Sequence, residues 1–185
     1  MFSKYIAAGN KICESGCGGG FLLNEFNNPK IGVEINSYAI KCCKKMGLEI
    51  VNNIEAIPND SLDVVYSTMA LEHVENPYGI LKSLHAKLRQ DGKLIIHVPA
   101  EDSSSEYVVN DENNHLYTWN QLTLGNLVKS AGYFVDETRL IEAEWPIHYS
   151  ELYDQLGEDT FSVLEYIYGR IRNHKSVIVV GIKKQ

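Results

Sequence analysis

A glycine-rich segment preceded by an acid is the part of this sequence that most directly suggests chemistry. It reads Glu14-Ser15-Gly16-Cys17-Gly18-Gly19-Gly20, and it joins a predicted strand at 11–15 to a predicted helix at 19–26. Glycine has no Cβ, so the backbone can turn sharply here and lie directly against a ligand. Taken alone, such a segment is also compatible with a tight turn that binds nothing. The spacing of the glycines must distinguish a ligand-binding loop from such a turn.

That spacing separates two kinds of ligand. A dinucleotide site uses G-x-G-x-x-G to seat a pyrophosphate on the N-terminus of the next helix. Here the third glycine comes one position early, and Phe21 stands where that pattern requires glycine. The Glu14 carboxylate would repel a pyrophosphate but would attract an ammonium group. S-adenosylmethionine carries an α-amino group and a sulfonium but no phosphate, so it fits this loop better than NAD does.

A second acid, Glu34, ends the predicted strand at 30–34. A carboxylate at the end of the second strand can accept hydrogen bonds from both hydroxyls of a ribose. A surface acid in front of a helix is the alternative interpretation, and the glycine loop before it favours the nucleoside site. A dinucleotide-dependent oxidoreductase remains the competing enzyme class, and it predicts NAD binding that is insensitive to Glu14→Ala.

Strands and helices alternate along the chain, which predicts one α/β domain over residues 1–185. Strands are expected at 11–15, 30–34, 48–52, 62–67, 93–99, 134–141 and 176–182. Helices are expected at 19–26, 37–46, 77–90, 118–129 and 150–171, with Ser37 and Thr118 as caps and a long polar loop at 100–117. The predicted fold is Rossmann-like and doubly wound: a seven-stranded, mostly parallel sheet with an antiparallel C-terminal strand pair. Ligands of such sheets bind at the carboxyl ends of the strands.

The motifs, taken in order, resemble those of class I S-adenosylmethionine-dependent methyltransferases of the type 11/12 kind. The glycine segment is similar to the first motif of that family, and Ile31-Gly32-Val33-Glu34 to its ribose-binding strand. Further similar segments follow at the expected spacings: Asn53-Ile54-Glu55-Ala56-Ile57-Pro58, Leu71-Glu72-His73-Val74, Asp91-Gly92-Lys93-Leu94 and His115-Leu116-Tyr117-Thr118-Trp119. The resemblance covers residues 11 to about 140.

This resemblance implies a set of residues that bind S-adenosylmethionine: Glu14, Gly16, Cys17, Gly18, Gly20, Glu34, Ile35, Asn53, Ile54 and Met69. Two features depart from the family. Asn53 stands where an acid usually accepts a hydrogen bond from the adenine amino group, although the amide oxygen of Asn can accept the same bond. The cap before the first motif is shortened, since only ten residues precede Lys11. The pocket is then open, or it is covered by the late helix and the 100–117 loop, by a second copy of the chain, or by a partner protein.

Methyl transfer chiefly requires that donor and acceptor be held together away from water. A hydroxyl acceptor of high pKa also requires a base or a metal ion. His115 is the first candidate base and His73 the second, because both follow strand ends; backbone hydrogen bonding at a helix entry is the alternative role for each. His97 lies within a strand and is expected to be packed. Candidates for the acceptor pocket are Trp145, His148 and Tyr149.

Other features limit the function classes. The acids of the 100–117 loop, Glu101, Asp102 and Asp111, are expected to face water, so no metal site is predicted. A formal charge of −7 disfavours nucleic acid as a partner. No signal-like or membrane-spanning apolar run occurs, and the four cysteines suit a reducing compartment, so a cytoplasmic protein is expected. The predicted function is O-methylation of a small molecule; a non-catalytic domain that binds the cofactor or a partner is the alternative.

Overall fold

Seven strands form one sheet in the computed structural model, which describes residues 2–101, 104–144 and 146–184. They are β1 (Ile12–Ser15), β2 (Lys30–Val33), β3 (Ile50–Val51), β4 (Leu62–Thr68), β5 (Leu88–Pro99), β6 (Phe134–Ile141) and β7 (Ser176–Ile182). The spatial order is β3-β2-β1-β4-β5-β7-β6. Strands β1 to β5 pair in parallel, whereas β7 runs antiparallel to both β5 and β6. This arrangement confirms the predicted fold class.

Helices cover both faces of the sheet. They are α1 (Phe21–Glu25), α2 (Ser37–Lys45), α3 (Pro77–Lys87), α4 (Gln121–Ser130) and α5 (Tyr149–Arg172). Strand residues alternate between two buried apolar clusters, as a sheet covered on both sides requires. One cluster contains Leu23 of α1 and Cys43 of α2, and the other contains residues of α3 and α4 such as Leu84 and Leu124.

The chain reverses its direction of winding between β1 and β4. From β1 it proceeds outward to β2 and β3, and it then returns to place β4 on the other side of β1. A crevice opens at the carboxyl ends of the strands where the winding reverses, and open α/β sheets bind their ligands there. The loops after β1, β2 and β4 all begin at this edge, so the fold places their residues around one crevice.

Several element boundaries differ from the predicted ones for identifiable reasons. Helix α3 ends at Lys87 and not at residue 90, because Leu88 is already extended and starts β5. Asn120 caps α4 in place of Thr118: its side chain accepts the Thr123 N–H while the Thr123 hydroxyl accepts the Asn120 N–H. Asn36 likewise caps α2 in place of Ser37.

Helix α5 is the longest helix described, and it is kinked. Gly157 interrupts it with φ 72° and ψ 168°, a conformation that glycine adopts readily. Neither α5 nor any other helix within the described ranges has the length and apolar character that crossing a membrane would require.

The first turn of the chain packs beneath the sheet. Phe2 is buried, and its ring centroid lies 5.3 Å from that of Tyr66 in β4. The Tyr5 hydroxyl donates a hydrogen bond of 2.8 Å to the Glu137 carboxylate on β6. The segment before β1 therefore connects the centre of the sheet to its far edge.

We expect Phe2→Ala to lower the free energy of unfolding by about 3 kcal/mol, because removing a buried ring leaves a cavity against Tyr66. Urea unfolding followed by circular dichroism measures this change. Phe134→Ala is the matched control, since Phe134 is exposed on the edge strand β6, and it should cost less than about 1 kcal/mol. Equal losses in the two variants would contradict the packing of the first turn.

Candidate active site

Three glycines of the loop between β1 and α1 adopt left-handed backbone conformations: Gly16 (φ +75°), Gly18 (φ +51°) and Gly20 (φ +79°). A Cβ at Gly16 would lie 2.5 Å from the Ala70 Cβ, and one at Gly20 would lie 2.8 Å from the Cys43 sulfur. A Cβ at Gly18 would have no atom within 4 Å. Two of these glycines therefore permit close packing, whereas Gly18 leaves open space in front of the loop.

The end of β2 holds this loop in place. The Gly16 and Cys17 N–H groups both donate to the Val33 carbonyl, at 2.9 and 3.1 Å. The Gly18 N–H donates to Glu34 Oε2 at 2.7 Å, and the other carboxylate oxygen accepts from the Ile35 and Asn36 N–H groups at 2.8 Å each. A carboxylate has about four acceptor positions, so one remains after these three bonds for a further donor such as a ribose hydroxyl.

A cavity of about 800 Å³ lies in front of the loop. This volume falls within the range of small-molecule sites, about 300–1,000 Å³. Six of the predicted site residues line it: Gly16, Gly18, Glu34, Ile35, Met69 and His73. The Ile35 side chain is 84% exposed and stands at the cavity edge.

Five predicted cofactor residues do not line this cavity: Glu14, Cys17, Gly20, Asn53 and Ile54. The Cys17 sulfur is buried against Gly32, and Gly20 packs on Cys43 and Leu48. The Asn53 amide oxygen accepts the Glu55 N–H at 3.0 Å, which caps a short 3₁₀ turn. Ile54, the first residue of that turn, belongs to the apolar core.

The cavity lining also includes small residues that were not predicted as site residues, among them Ser15, Ser67 and Ala70. All three stand at or just after the carboxyl ends of β1 and β4. Only their position at a strand end could have identified them as site residues, because Ser and Ala do not by themselves indicate a binding site.

Glu14 lies behind the loop and is absent from the cavity lining. Along β1 it shares the sheet face of Ile12, and it is buried with its Oε2 3.4 Å from the Tyr66 hydroxyl. Burial raises the pKa of Glu14 to about 8, although hydrogen bonds from Tyr66 and the Leu23 backbone act in the opposite direction. Burial therefore favours the neutral acid form of this side chain. The predicted direct contact with an ammonium group stays a prediction.

His73 and His115 lie together although they come from different loops. Their ring centroids are 4.9 Å apart in an edge-on arrangement. The Leu116 N–H donates to the Glu72 carbonyl at 2.9 Å, and this backbone bond joins the two segments. His73 lines the cavity in front of the glycine loop. The structure thus brings both candidate catalytic histidines to one place.

Two acids contact this histidine pair. The His115 Nδ1 atom pairs with the Glu101 carboxylate, and Glu101 lines a second cavity of about 670 Å³. The Glu72 carboxylate is 1% exposed and has one oxygen 3.9 Å from His73 Nε2. Burial raises the pKa of the Glu72 carboxyl. A line of side chains from Glu101 through His115 to His73 therefore connects the two cavities.

The other histidines considered as candidates lie elsewhere. His97 is packed as predicted, with its ring nitrogens 2.9 Å from the Thr68 hydroxyl and 2.8 Å from the Ser176 hydroxyl, and burial lowers its pKa to about 4. His148 and Tyr149 start α5 and are exposed, and neither lines the two cavities. Trp145 and Asp102 lie outside the described residues.

A sheet in this strand order, with a glycine loop after β1 and an acid after β2 at the crevice, defines the class I methyltransferase fold. The chain belongs to the methyltransferase domain family, whose sequence profile matches residues 1–138. This confirms the predicted class of protein, and with it S-adenosylmethionine as the cofactor. Among curated proteins, none matches the sequence significantly.

Solved structures agree with this fold. A Haloferax volcanii methyltransferase solved in complex with the Trm112 activator is 17% identical, has a TM-score of 0.72, and aligns over 97% of this chain and 85% of its own. A SAM-dependent methyltransferase of Archaeoglobus fulgidus is 19% identical with a TM-score of 0.69, over 98% and 90% of the two chains. Phosphoethanolamine N-methyltransferase 2 of Haemonchus contortus, solved with S-adenosyl-L-methionine, is 14% identical with a TM-score of 0.62, over 97% and 50%.

The burial of Glu14 makes stability depend on pH. Because its pKa is raised in the folded protein, its contribution is fully present below the unfolded pKa near 4.5 and is lost as pH rises through about 8. We expect wild type to lose stability relative to Glu14→Gln between pH 5 and 8, by up to about 1.4 kcal/mol per pH unit. Urea unfolding of both proteins at several pH values measures the difference. Parallel stability curves would contradict the raised pKa.

Proposed function

We propose that this protein transfers a methyl group from S-adenosylmethionine to the hydroxyl of a small molecule. The observation that supports this most is the meeting, at one cavity, of the Gly18–Glu34 cradle and the His73–His115 pair. The cradle provides the nucleoside site, and the histidines provide groups that can take up a proton.

The residues present suit the cofactor. The open space over Gly18 admits it close to the backbone, and Glu34 offers acceptor capacity to the ribose hydroxyls. In this proposal Gly16, Ile35 and Met69 complete the contact surface, Cys17 and Gly20 support the loop from behind, and Asn53 and Ile54 close the adenine end. Glu14 acts from behind the loop, where an adjacent cationic head group would favour its ionised form. The cofactor, when bound, supplies an electrophilic methyl group on its sulfonium.

The histidine pair is proposed to activate the acceptor. Glu101 fixes His115 through Nδ1, which directs Nε2 as the free acceptor of a proton. The acceptor hydroxyl would lose its proton to this nitrogen, and His73 would orient that hydroxyl at the cavity wall. Glu101 also lines the second cavity, which supports placing the acceptor on that side of the pair.

A non-catalytic domain that binds the cofactor or a partner is the second candidate. Three large apolar side chains near the glycine loop and the end of β2 are exposed: Phe21, Ile35 and Tyr38. A partner protein or a second copy of the chain would bury them, and the Haloferax neighbour was solved with such an activator. We place the protein in the cytoplasm, which the four free thiols support.

Isothermal titration with S-adenosylmethionine tests the cofactor site. We expect Glu34→Ala to weaken binding by about 10-fold or more, because it removes the ribose acceptor and releases the Gly18 N–H. Glu49→Ala, a change at an exposed acid near β3, is the matched control and should bind as wild type does. Binding of NAD in place of S-adenosylmethionine would overturn the proposal.

The histidine pair is tested by measuring S-adenosylhomocysteine release over a panel of small hydroxyl acceptors. We expect His115→Ala to lower kcat by about 100-fold or more while the Kd for S-adenosylmethionine stays unchanged. His148→Asn, at an exposed residue with φ 62°, is the control and should keep full activity, since Asn tolerates this backbone conformation. Cofactor binding without turnover on any acceptor would favour the non-catalytic alternative.

A further inference from the structure

We infer that Glu72, His73 and His115 form a binding site for a divalent transition-metal ion. Each of the three residues offers one ligand atom, and these atoms all lie within 4.8 Å of one another. Ligands of a tetrahedral zinc ion, at about 2.0–2.2 Å from the metal, stand about 3.4 Å apart. The Glu72 Oε1 and His73 Nε2 atoms lie 3.9 Å apart, and the His73 side chain is 44% exposed, so its ring has room to rotate toward that spacing. This proposal departs from the sequence-based expectation of no metal, for which the acids of the 100–117 loop were weighed.

The Glu72 carboxylate is the observation that points most directly to a missing ligand. It is 1% exposed, and no described residue provides a hydrogen-bond partner for its buried Oε2 atom. Leaving a buried carboxylate oxygen unpaired is costly, and proteins usually satisfy such a group with a hydrogen bond or a metal ion. The other oxygen, Oε1, lies 3.9 Å from His73 Nε2, so a cation bound by this carboxylate beside the two histidines would give the buried group a partner.

Glu101 completes the arrangement as an outer partner. A histidine that binds a metal usually donates its other ring N–H to a carboxylate, which fixes the tautomer and the orientation of the ring. His115 has this relationship with Glu101 through Nδ1, so its Nε2 is directed as the metal ligand. The donor set is therefore two imidazole nitrogens and one carboxylate oxygen, with an outer-shell carboxylate.

This donor set selects the class of ion. Imidazole ligands suit zinc and other first-row transition metals, whereas magnesium and calcium prefer oxygen ligands alone. Two histidines and one glutamate that leave a coordination position open are typical of catalytic sites and not of structural ones. His73 lines the cavity in front of the glycine loop, so the proposed ion would lie beside that cavity.

The role of the ion rests on the proposed function, although its binding does not. A hydroxyl oxygen at the open position would have its pKa lowered by the ion, so its proton would pass to water. The oxygen would then form the new O–C bond as the S–C bond of the donor breaks. In this version of the reaction the histidines serve as ligands, and the metal ion replaces them as the activating group.

The test is a titration of metal-stripped protein with Co²⁺, followed by visible absorption and by calorimetry. Loss of a residue that hydrogen-bonds a metal ligand typically weakens metal binding by about 10- to 100-fold. We expect His73→Ala and His115→Ala, which each remove a ligand, to weaken Co²⁺ binding by a larger factor than this. Glu101→Gln should weaken Co²⁺ binding by about 10- to 100-fold, because Glu101 hydrogen-bonds a ligand. His148→Asn should bind Co²⁺ as tightly as wild type does. An equal concentration of Mg²⁺ should not displace Co²⁺.

Because Glu72 is buried, the folding of the Glu72→Gln variant is checked by circular dichroism. If that variant does not fold, the variants at the exposed residues His73 and Glu101 still test the site. Absence of Co²⁺ absorption at millimolar concentration, or equal affinity in all variants, would overturn the site. Each preparation is also titrated with S-adenosylmethionine. Cofactor binding without Co²⁺ binding refutes the metal site alone, and Co²⁺ binding without cofactor binding refutes the proposed function alone.

Discussion

The hydrogen bond from the Gly18 N–H to the Glu34 carboxylate is the constraint on which the rest of the site depends. It joins the loop after β1 to the end of β2, while the Val33 carbonyl accepts the Gly16 and Cys17 N–H groups beside it. These bonds form within the protein itself, so the loop has its shape before any ligand arrives. Binding to such a preorganised loop avoids the entropy cost of ordering it. The same carboxylate that would contact the ribose therefore also holds the backbone that faces the cofactor.

Glu14 shows how far residue type alone can lead. Its charge favours an ammonium ligand over a pyrophosphate, and the family assignment supports that choice of cofactor. The side chain nevertheless lies behind the loop, where burial raises its pKa and favours its neutral form. Strand alternation contained this information, because Ile12 and Glu14 must point to the same side of β1. The sequence does not reveal that Tyr66 of β4 covers that side.

The parts of the site that follow from local sequence were predictable, and the parts that depend on tertiary packing were not. The glycine loop, the acid after β2 and the alternation of elements each reside in a short segment, so the fold class and Glu34 could be identified. The contact between His73 and His115 depends on the Leu116–Glu72 backbone bond, which joins loops that follow different strands. That the Glu72 Oε2 atom has no hydrogen-bond partner among the described residues depends on every side chain packed around it. No local pattern reports either feature.

Comparison of His97 with His73 and His115 shows what makes a histidine available for chemistry in this fold. His97 has both ring nitrogens bonded to hydroxyls, from Thr68 on the adjacent strand β4 and Ser176 on β7, so its hydrogen-bonding capacity is used within the sheet. His115 has one nitrogen held by Glu101, and its ring lies against His73 at the cavity wall. Glu101 occupies one ring nitrogen of His115, whereas the two hydroxyl partners of His97 occupy both of its nitrogens. The loops beyond the strand ends, and not the strands themselves, are therefore where this sheet places imidazole groups beside the cavity.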